Sequence, residues 1–179
     1  YKGYEDPAFA EDFELLQKNA QALETALGQA REQDDVQGLV TVLEAKEAYA
    51  KVLFKLNEYL GLRNSVDTTD GKTLDYIGRL DKINASTAKA QSAMDKYIAG
   101  VADLEACIAA HPLLTEYAFL LRNTKKNAVH LFSDEMEAMI SRMNLSGGNA
   151  WGRLFDYLTS TLKVDYDGEQ ITLPAVRNL

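Results

Sequence analysis

The chain has 179 residues and a mass of 19.9 kDa, with 46% hydrophobic and 26% charged side chains, a balance that suits a folded core and not disorder. Its 27 acidic against 19 basic residues leave a net charge of −8, which argues against nucleic-acid partners and anionic membrane surfaces, both of which need a basic face. No apolar run approaches the roughly 20 residues of a membrane span.

No basic stretch followed by an apolar one marks a leader, and the lone Cys107 cannot form an intramolecular disulfide, so a cytoplasmic setting is expected. Prolines stand only at 7, 112 and 174, which leaves Ala8 to His111 free of the strongest helix breaker. Asp6-Pro7 reads as an N-cap followed by proline at the first helical position. Apolar residues then recur at Phe9, Phe13, Leu16, Ala20, Leu23, Leu27 and Ala30, in alternating steps of four and three. That seam predicts a helix from Pro7 to about Gln33, packed lengthwise on a neighbour.

A second helix opens at Asp34 or Asp35 and is expected to bury Val36, Leu39, Val40, Leu43, Ala50, Leu53 and Leu60; Gly61 either ends or interrupts it. Thr68-Thr69-Asp70-Gly71 is the next break, and a single third helix carries Leu74, Ile77, Leu80, Ile83, Ala90, Met94 and Ile98. Gly100 marks a bend, and a shorter helix through Val101, Leu104 and Ile108 stops at His111, because the residue before Pro112 avoids the helical region. Short links between long amphipathic helices imply antiparallel neighbours.

Beyond Pro112 the pattern changes. A helix is predicted from Leu113 to about His130, with Leu114, Tyr117, Ala118 and Leu121 on one face. Ser133 then reads as an N-cap, with Met136, Met139, Ile140 and Met143 expected to face inward. Ser146-Gly147-Gly148-Asn149 breaks that helix, and Ala150 to Leu162 forms the next, with Trp151, Leu154, Phe155 and Leu158 apolar. Trp151 is expected to be buried there as the anchor of a small cluster. Asp167-Gly168 between β-favouring runs predicts a hairpin of Lys163–Tyr166 against Glu169–Leu173, with Gly168 in the left-handed region of a type I′ turn. Thr172 or Leu173 with Pro174 starts one more helix, and an end one turn later reads as a cut through a longer sequence. The expected fold is mainly α: an elongated bundle of long antiparallel helices over 1–112, then a helical cluster with one hairpin over 113–179, packed as one domain. Structural weight falls on Trp151, Gly147, Gly148, Gly168 and Pro112.

Chemistry is sparse. The two histidines, His111 and His130, sit in no H-E-x-x-H, and neither has a Glu three residues before it. Both read as helix-end residues. The Asp-Gly pairs lack the oxygen spacing of an EF-hand in either register. Ser146-Gly147-Gly148-Asn149 lacks the preceding strand and the G-K-[ST] ending of a phosphate loop. Cys107 lies among Ala106, Ile108 and Ala109, as a buried thiol would. No catalytic, metal-binding or cofactor-binding residue is expected in this chain.

One resemblance is carried by a specific run. Leu120-Leu121-Arg122, His130-Leu131-Phe132-Ser133-Asp134-Glu135-Met136-Glu137, and Gly147-Gly148-Asn149-Ala150-Trp151 occur in that order. Leu158-Thr159-Ser160-Thr161-Leu162, Asp167-Gly168-Glu169 and Arg177-Asn178-Leu179 follow. Residues 113–179 thereby resemble the end of the N-terminal region of oligoendopeptidase F, in the thimet-oligopeptidase-like clan of zinc metallopeptidases. Tyr1-Lys2-Gly3-Tyr4-Glu5-Asp6-Pro7 and Val66-Asp67-Thr68-Thr69-Asp70 are similar to the same family's helical region. The resemblance implies a parent enzyme that hydrolyses oligopeptides at one zinc, held by H-E-x-x-H and a later Glu in a catalytic half outside this sequence. This chain would wall the substrate channel, with the catalytic half and the oligopeptide as its partners. The alternative is a free-standing helical interaction module. Apolar surface left bare near Tyr166, Ile171, Leu173, Val176 and Leu179 would also allow two copies to pair as a homodimer.

Overall fold

The computed structural model describes residues 1–176. Arg177, Asn178 and Leu179, which close the resemblance, lie outside the described residues, and with them the Leu179 of the expected bare apolar surface.

Helix α1 (Pro7–Ala30) begins as the sequence predicts, with Asp6 accepting from the Ala8 amide at 3.1 Å and proline inside the first turn. It ends three residues early. Helix α2 (Asp35–Val66) is capped by Asp34, which accepts from the Gln37 amide at 3.0 Å, and it runs through Gly61 without interruption. The two form an antiparallel hairpin. Asn19 Nδ2 donates to the Ala48 carbonyl at 2.9 Å, and Lys55 pairs with Asp12, so that partners descend one helix as they climb the other. The expected seam is the real one: Phe9, Phe13, Leu16, Leu23, Leu27 and Ala30 are all buried against α2 and its neighbours. Burial of these side chains, each worth about 1.5–3 kcal/mol when large and aliphatic or aromatic, is the main force holding the pair.

The third predicted helix is two. Helix α3 (Gly71–Ser86) and helix α4 (Ala88–Gly100) meet at Thr87, whose amide bonds the Asn84 carbonyl at 3.1 Å instead of reaching one residue further back. The Thr87 hydroxyl donates to the same carbonyl at 2.8 Å, and the Ser86 hydroxyl donates to Ile83 O at 2.6 Å. Two adjacent hydroxyls competing for helical carbonyls tighten the turn and bend the rod. Lys46 on α2 pairs with Asp95 on α4, and the Tyr97 hydroxyl donates to Ala30 O at 3.1 Å, so α4 packs across the hairpin near its closed end, where α1 turns into α2.

Helix α5 (Leu104–Ala110) buries Leu104, Cys107 and Ile108. The predicted helix from Leu113 to His130 is likewise divided, into α6 (Pro112–Glu116), α7 (Ala118–Asn127) and a 3₁₀ turn over Ala128–His130. The break falls at Tyr117 (φ −89°, ψ 13°), where the Thr115 hydroxyl donates at 2.8 Å to Ile108 O and binds α6 back onto α5. Helix α8 (Asp134–Ser146) and helix α9 (Gly148–Thr161) follow, joined through Gly147. A Cβ at Gly147 would lie 2.9 Å from Met143 O, so the close turn between these helices needs glycine there; at Gly148 no such approach occurs.

Strands β1 (Lys163–Tyr166) and β2 (Glu169–Thr172) pair antiparallel with Tyr166 opposite Glu169. Asp167 (φ 51°) and Gly168 (φ 83°) make the two-residue turn that the sequence predicts. Helix α10 (Leu173–Val176) follows directly. The fold is mainly α, a helical bundle with one short hairpin. Its core runs from Phe9 to Leu121, and among the described residues no side chain beyond Leu121 is buried.

Candidate functional site

That asymmetry of burial locates the site. Helices α8 and α9 are amphipathic by sequence, and the inward packing expected of their apolar residues is not what the structure shows. Met136, Met139 and Met143, spaced by three and four residues, line the outer side of α8 together with Ile140, and Met139 is 60% exposed. On α9, Trp151, Phe155, Leu158 and Leu162 form a second stripe at steps of four, three and four. Trp151 is 70% exposed and anchors nothing among the described residues.

The physical reason lies in what the opposite face of each helix does. Helix α9 is attached to the bundle by polar groups. Arg153 Nη1 donates to Asp81 of α3 at 2.9 Å, its Nη2 donates to Leu145 O at 3.2 Å, and the Ser160 and Thr68 hydroxyls share a hydrogen at 2.6 Å. Helix α8 is tied down at its first turn, where Lys96 Nζ donates to Asp134 Oδ1 at 2.6 Å and the Ser92 hydroxyl to the same oxygen at 3.2 Å. The Lys96 hydrogen bond, ahead of that from Ser92, holds the Asp134 carboxyl below the usual carboxylate range. Ser133 caps α8 as predicted, accepting from the Met136 amide at 3.2 Å. Polar side chains face the protein and apolar ones face outward. This is an inverted arrangement for a surface helix.

Phe132 extends the α8 stripe at its start and is more than half exposed, as is Phe119 on α7. Around the hairpin the apolar residues singled out from sequence are less bare: Tyr166 is exposed, whereas Ile171, Leu173 and Val176 are half-buried. Among the described residues the exposed apolar surface is therefore centred on α8 and α9, the two helices that precede the hairpin where the sequence placed it. Soluble monomers rarely carry apolar patches beyond a few hundred Å² without a partner, and three flexible thioethers beside two large aromatics suit a surface that moulds to what it meets.

His111 Nδ1 accepts from the Leu113 amide at 3.2 Å and so caps α6, with Pro112 at its first position, while His130 stands exposed in the 3₁₀ turn. Burial, with the carboxylates of Asp35, Asp103 and Asp34, pushes the Cys107 thiol up, away from the reactive thiolate. Among the described residues no three His, Cys, Asp or Glu side chains converge to hold a metal ion. The described side chains do not fit zinc.

Comparison with known proteins adds one result. The family profile described as Oligopeptidase F, an N-terminal domain of the M3 peptidases, matches residues 100–163. Searches of curated proteins and of solved structures gave no match. The matched segment spans α5 to α9 and includes both exposed stripes. It also overlaps the Gly-Gly-Asn-Ala-Trp and Leu-Thr-Ser-Thr-Leu runs on which the resemblance rests. Residues 100–163 are thus similar to the N-terminal domain of the oligopeptidase F family.

Proposed function

We propose that this chain is the non-catalytic N-terminal domain of a zinc-dependent oligopeptide endopeptidase, acting in the cytoplasm, where it walls the channel through which short peptides reach the metal. The observation that carries this reading is the outward apolar face of α8 and α9 inside the segment matched to the family. Met139, Met143, Trp151 and Phe155 form a surface suited to the catalytic half, which docks there and covers it. Zinc bound in that half would supply a polarised, activated water, while the residues of this chain screen the substrate's path. Residues 1–112 act as the rigid frame, and residues 113–179 as the element that meets the partner.

The test uses the polypeptide encoded downstream in the same reading frame, which this reading requires to contain H-E-x-x-H. Mixed with this chain, it should co-elute in size-exclusion chromatography and gain peptidase activity. Trp151→Glu with Phe155→Glu should abolish co-elution while leaving the melting temperature of this chain unchanged. Absence of the motif downstream, or co-elution that ignores both charges, overturns the reading. Concentration-dependent pairing of this chain alone, blocked by the same two substitutions, would assign the face to a second copy.

A further inference from the structure

Helices α8 and α9 carry neighbouring apolar stripes but are held to the bundle in different ways. Helix α8 packs along α3 and α4, with its first turn tied down through Asp134. Helix α9 has no buried residue, and its half-buried positions are Ala150, Arg153, Thr159 and Ser160, none of them a large apolar side chain. Among the described residues, two side-chain bonds join it to the bundle: Arg153 Nη1 to Asp81 Oδ2 of α3 at 2.9 Å, and the hydroxyl pair of Thr68 and Ser160 at 2.6 Å. Its other packing is on α8, β2 and α10. The Leu173 amide donates to Leu162 O at 3.3 Å, which ties α9, the hairpin and α10 into one unit.

The seam beneath α9 is loosely filled. A hollow of about 290 Å³ separates it from α2 and α3, walled by Leu74, Gly78 and Leu154 and bordered by Arg153 and Thr68, one group from each of the two bonds. Packed interiors leave few voids larger than a water molecule. Asn64 Oδ1 is shut off from solvent beside it with no hydrogen-bond partner, a cost that ends when α9 lifts and water enters. The joint is short. Gly147 (φ −96°, ψ −112°) is the one residue between α8 and α9, Gly148 follows it, and a Cβ at Gly147 would press on Met143 O. Hinges absorb their rotation at a few such element-terminal positions.

We propose that α9, the hairpin and α10 form an arm that pivots at Gly147-Gly148 against a fixed α8, latched to the bundle by Arg153–Asp81 and Thr68–Ser160. The swing belongs to the microsecond-to-millisecond range of hinge motions. Trp151, Phe155, Leu158 and Leu162 travel with the arm, whereas Met136, Met139 and Met143 stay with α8. The angle between the two stripes is therefore adjustable, and a docking partner selects one angle from those the arm visits. The pivot deepens the docking reading and rests on it only for what does the selecting.

The experiment is a spin-label distance distribution between Lys18→Cys on α1 and Gly152→Cys on α9, measured by double electron–electron resonance in a Cys107→Ala background. Lys18 is exposed, and a Cβ built at Gly152 meets nothing within 4 Å, so neither label disturbs the packing. Asp81→Asn should raise the ratio of open to closed arm about threefold, as for an exposed ion pair, and Thr68→Val about fivefold, as for a neutral hydrogen bond. The two effects should multiply in the double variant, because the bonds share no partner. Sodium chloride at about 1 M, where the screening length is about 3 Å, should open the arm of the parent chain but not that of Asp81→Asn. Gly147→Ala should deplete the closed distance with both bonds available. Circular dichroism on each variant checks that the bundle is kept. A single narrow distance that ignores both bond-deleting variants, or a closed share that grows with salt, would overturn the pivot; a closed distance untouched by Gly147→Ala would overturn its placement. Co-elution with the downstream polypeptide does not read this distance, so each reading can fail alone.

Discussion

Gly38 stands where three helices converge, and replacing it with alanine tests that convergence. The residue is buried in the first turns of α2, with the end of α1 on one side and Tyr97 of α4 on the other. A Cβ there would run into Tyr97 Oη and would lie 3.2 Å from Tyr97 Cζ and 2.7 Å from Ala30 O. The hydroxyl can rotate away, but the carbonyl belongs to α1 and moves only with the helix. In an open helix Gly→Ala stabilises by up to about 1 kcal/mol. Here the hydrogen bond from Tyr97 to Ala30 O is lost, about 1 kcal/mol, and overpacking adds about 1–3 kcal/mol. The balance is a destabilisation of about 2 kcal/mol, or about 4–8 °C in melting temperature for a chain of this size. Urea unfolding followed at 222 nm measures it, with an unchanged m-value showing that only stability moved. Tyr97→Phe removes the nearest clashing atom, so the double variant should lose less than the two single variants summed. A Gly38→Ala protein that melts at or above the parent temperature refutes the close approach.

Other outcomes follow from the same geometry. Gly168→Val places a β-branched residue at φ 83°, which costs about 1–2 kcal/mol at one position, so amide-exchange protection across Lys163–Thr172 should fall while that of α1 and α2 stays. Because Lys96 holds the folded Asp134 carboxyl below its unfolded value, the stability it contributes is present above about pH 4 and lost as pH falls through the folded pKa. Asp134→Asn should therefore be destabilised at pH 7, with the gap to the parent protein closing below about pH 4; a gap constant with pH would remove the Lys96 contact as its cause. Trp151→Ala should shift stability by less than about 0.5 kcal/mol while weakening association of the α8–α9 face, and a loss of about 3–5 kcal/mol would mean that the indole is buried after all.

The long hairpin was legible because its signals are local and redundant: Asp6-Pro7 and Asp34 set the starts, and the seam from Phe9 to Ala30 sets the buried face. The β-turn was legible because Asp-Gly states its own backbone requirement. Apolar periodicity on α9 revealed a stripe but not its direction. Direction depends on Arg153 finding Asp81 and Ser160 finding Thr68, partners more than 70 residues away that no spacing rule connects. The bends at Thr87 and Tyr117 hid for a related reason, since hydroxyl competition for a helical carbonyl leaves the apolar period intact. The unpartnered oxygen of Asn64 had no sequence signal at all, because an asparagine near a helix end is ordinary until its surroundings are known.

The methionine stripe has a chemical consequence of its own. Met94 is fully buried in the core, whereas Met136, Met139 and Met143 are open to any oxidant that reaches the surface. Each thioether that takes up one oxygen becomes a polar, chiral sulfoxide, which weakens an apolar face without disturbing the fold beneath it. Mild peroxide should thus add up to three oxygens, mapped by peptide mass to α8, and leave the Met94 peptide unchanged. A repair reductase would restore the surface, so the same three sulfur atoms that let it mould to a partner also expose its adhesion to the redox state of its surroundings.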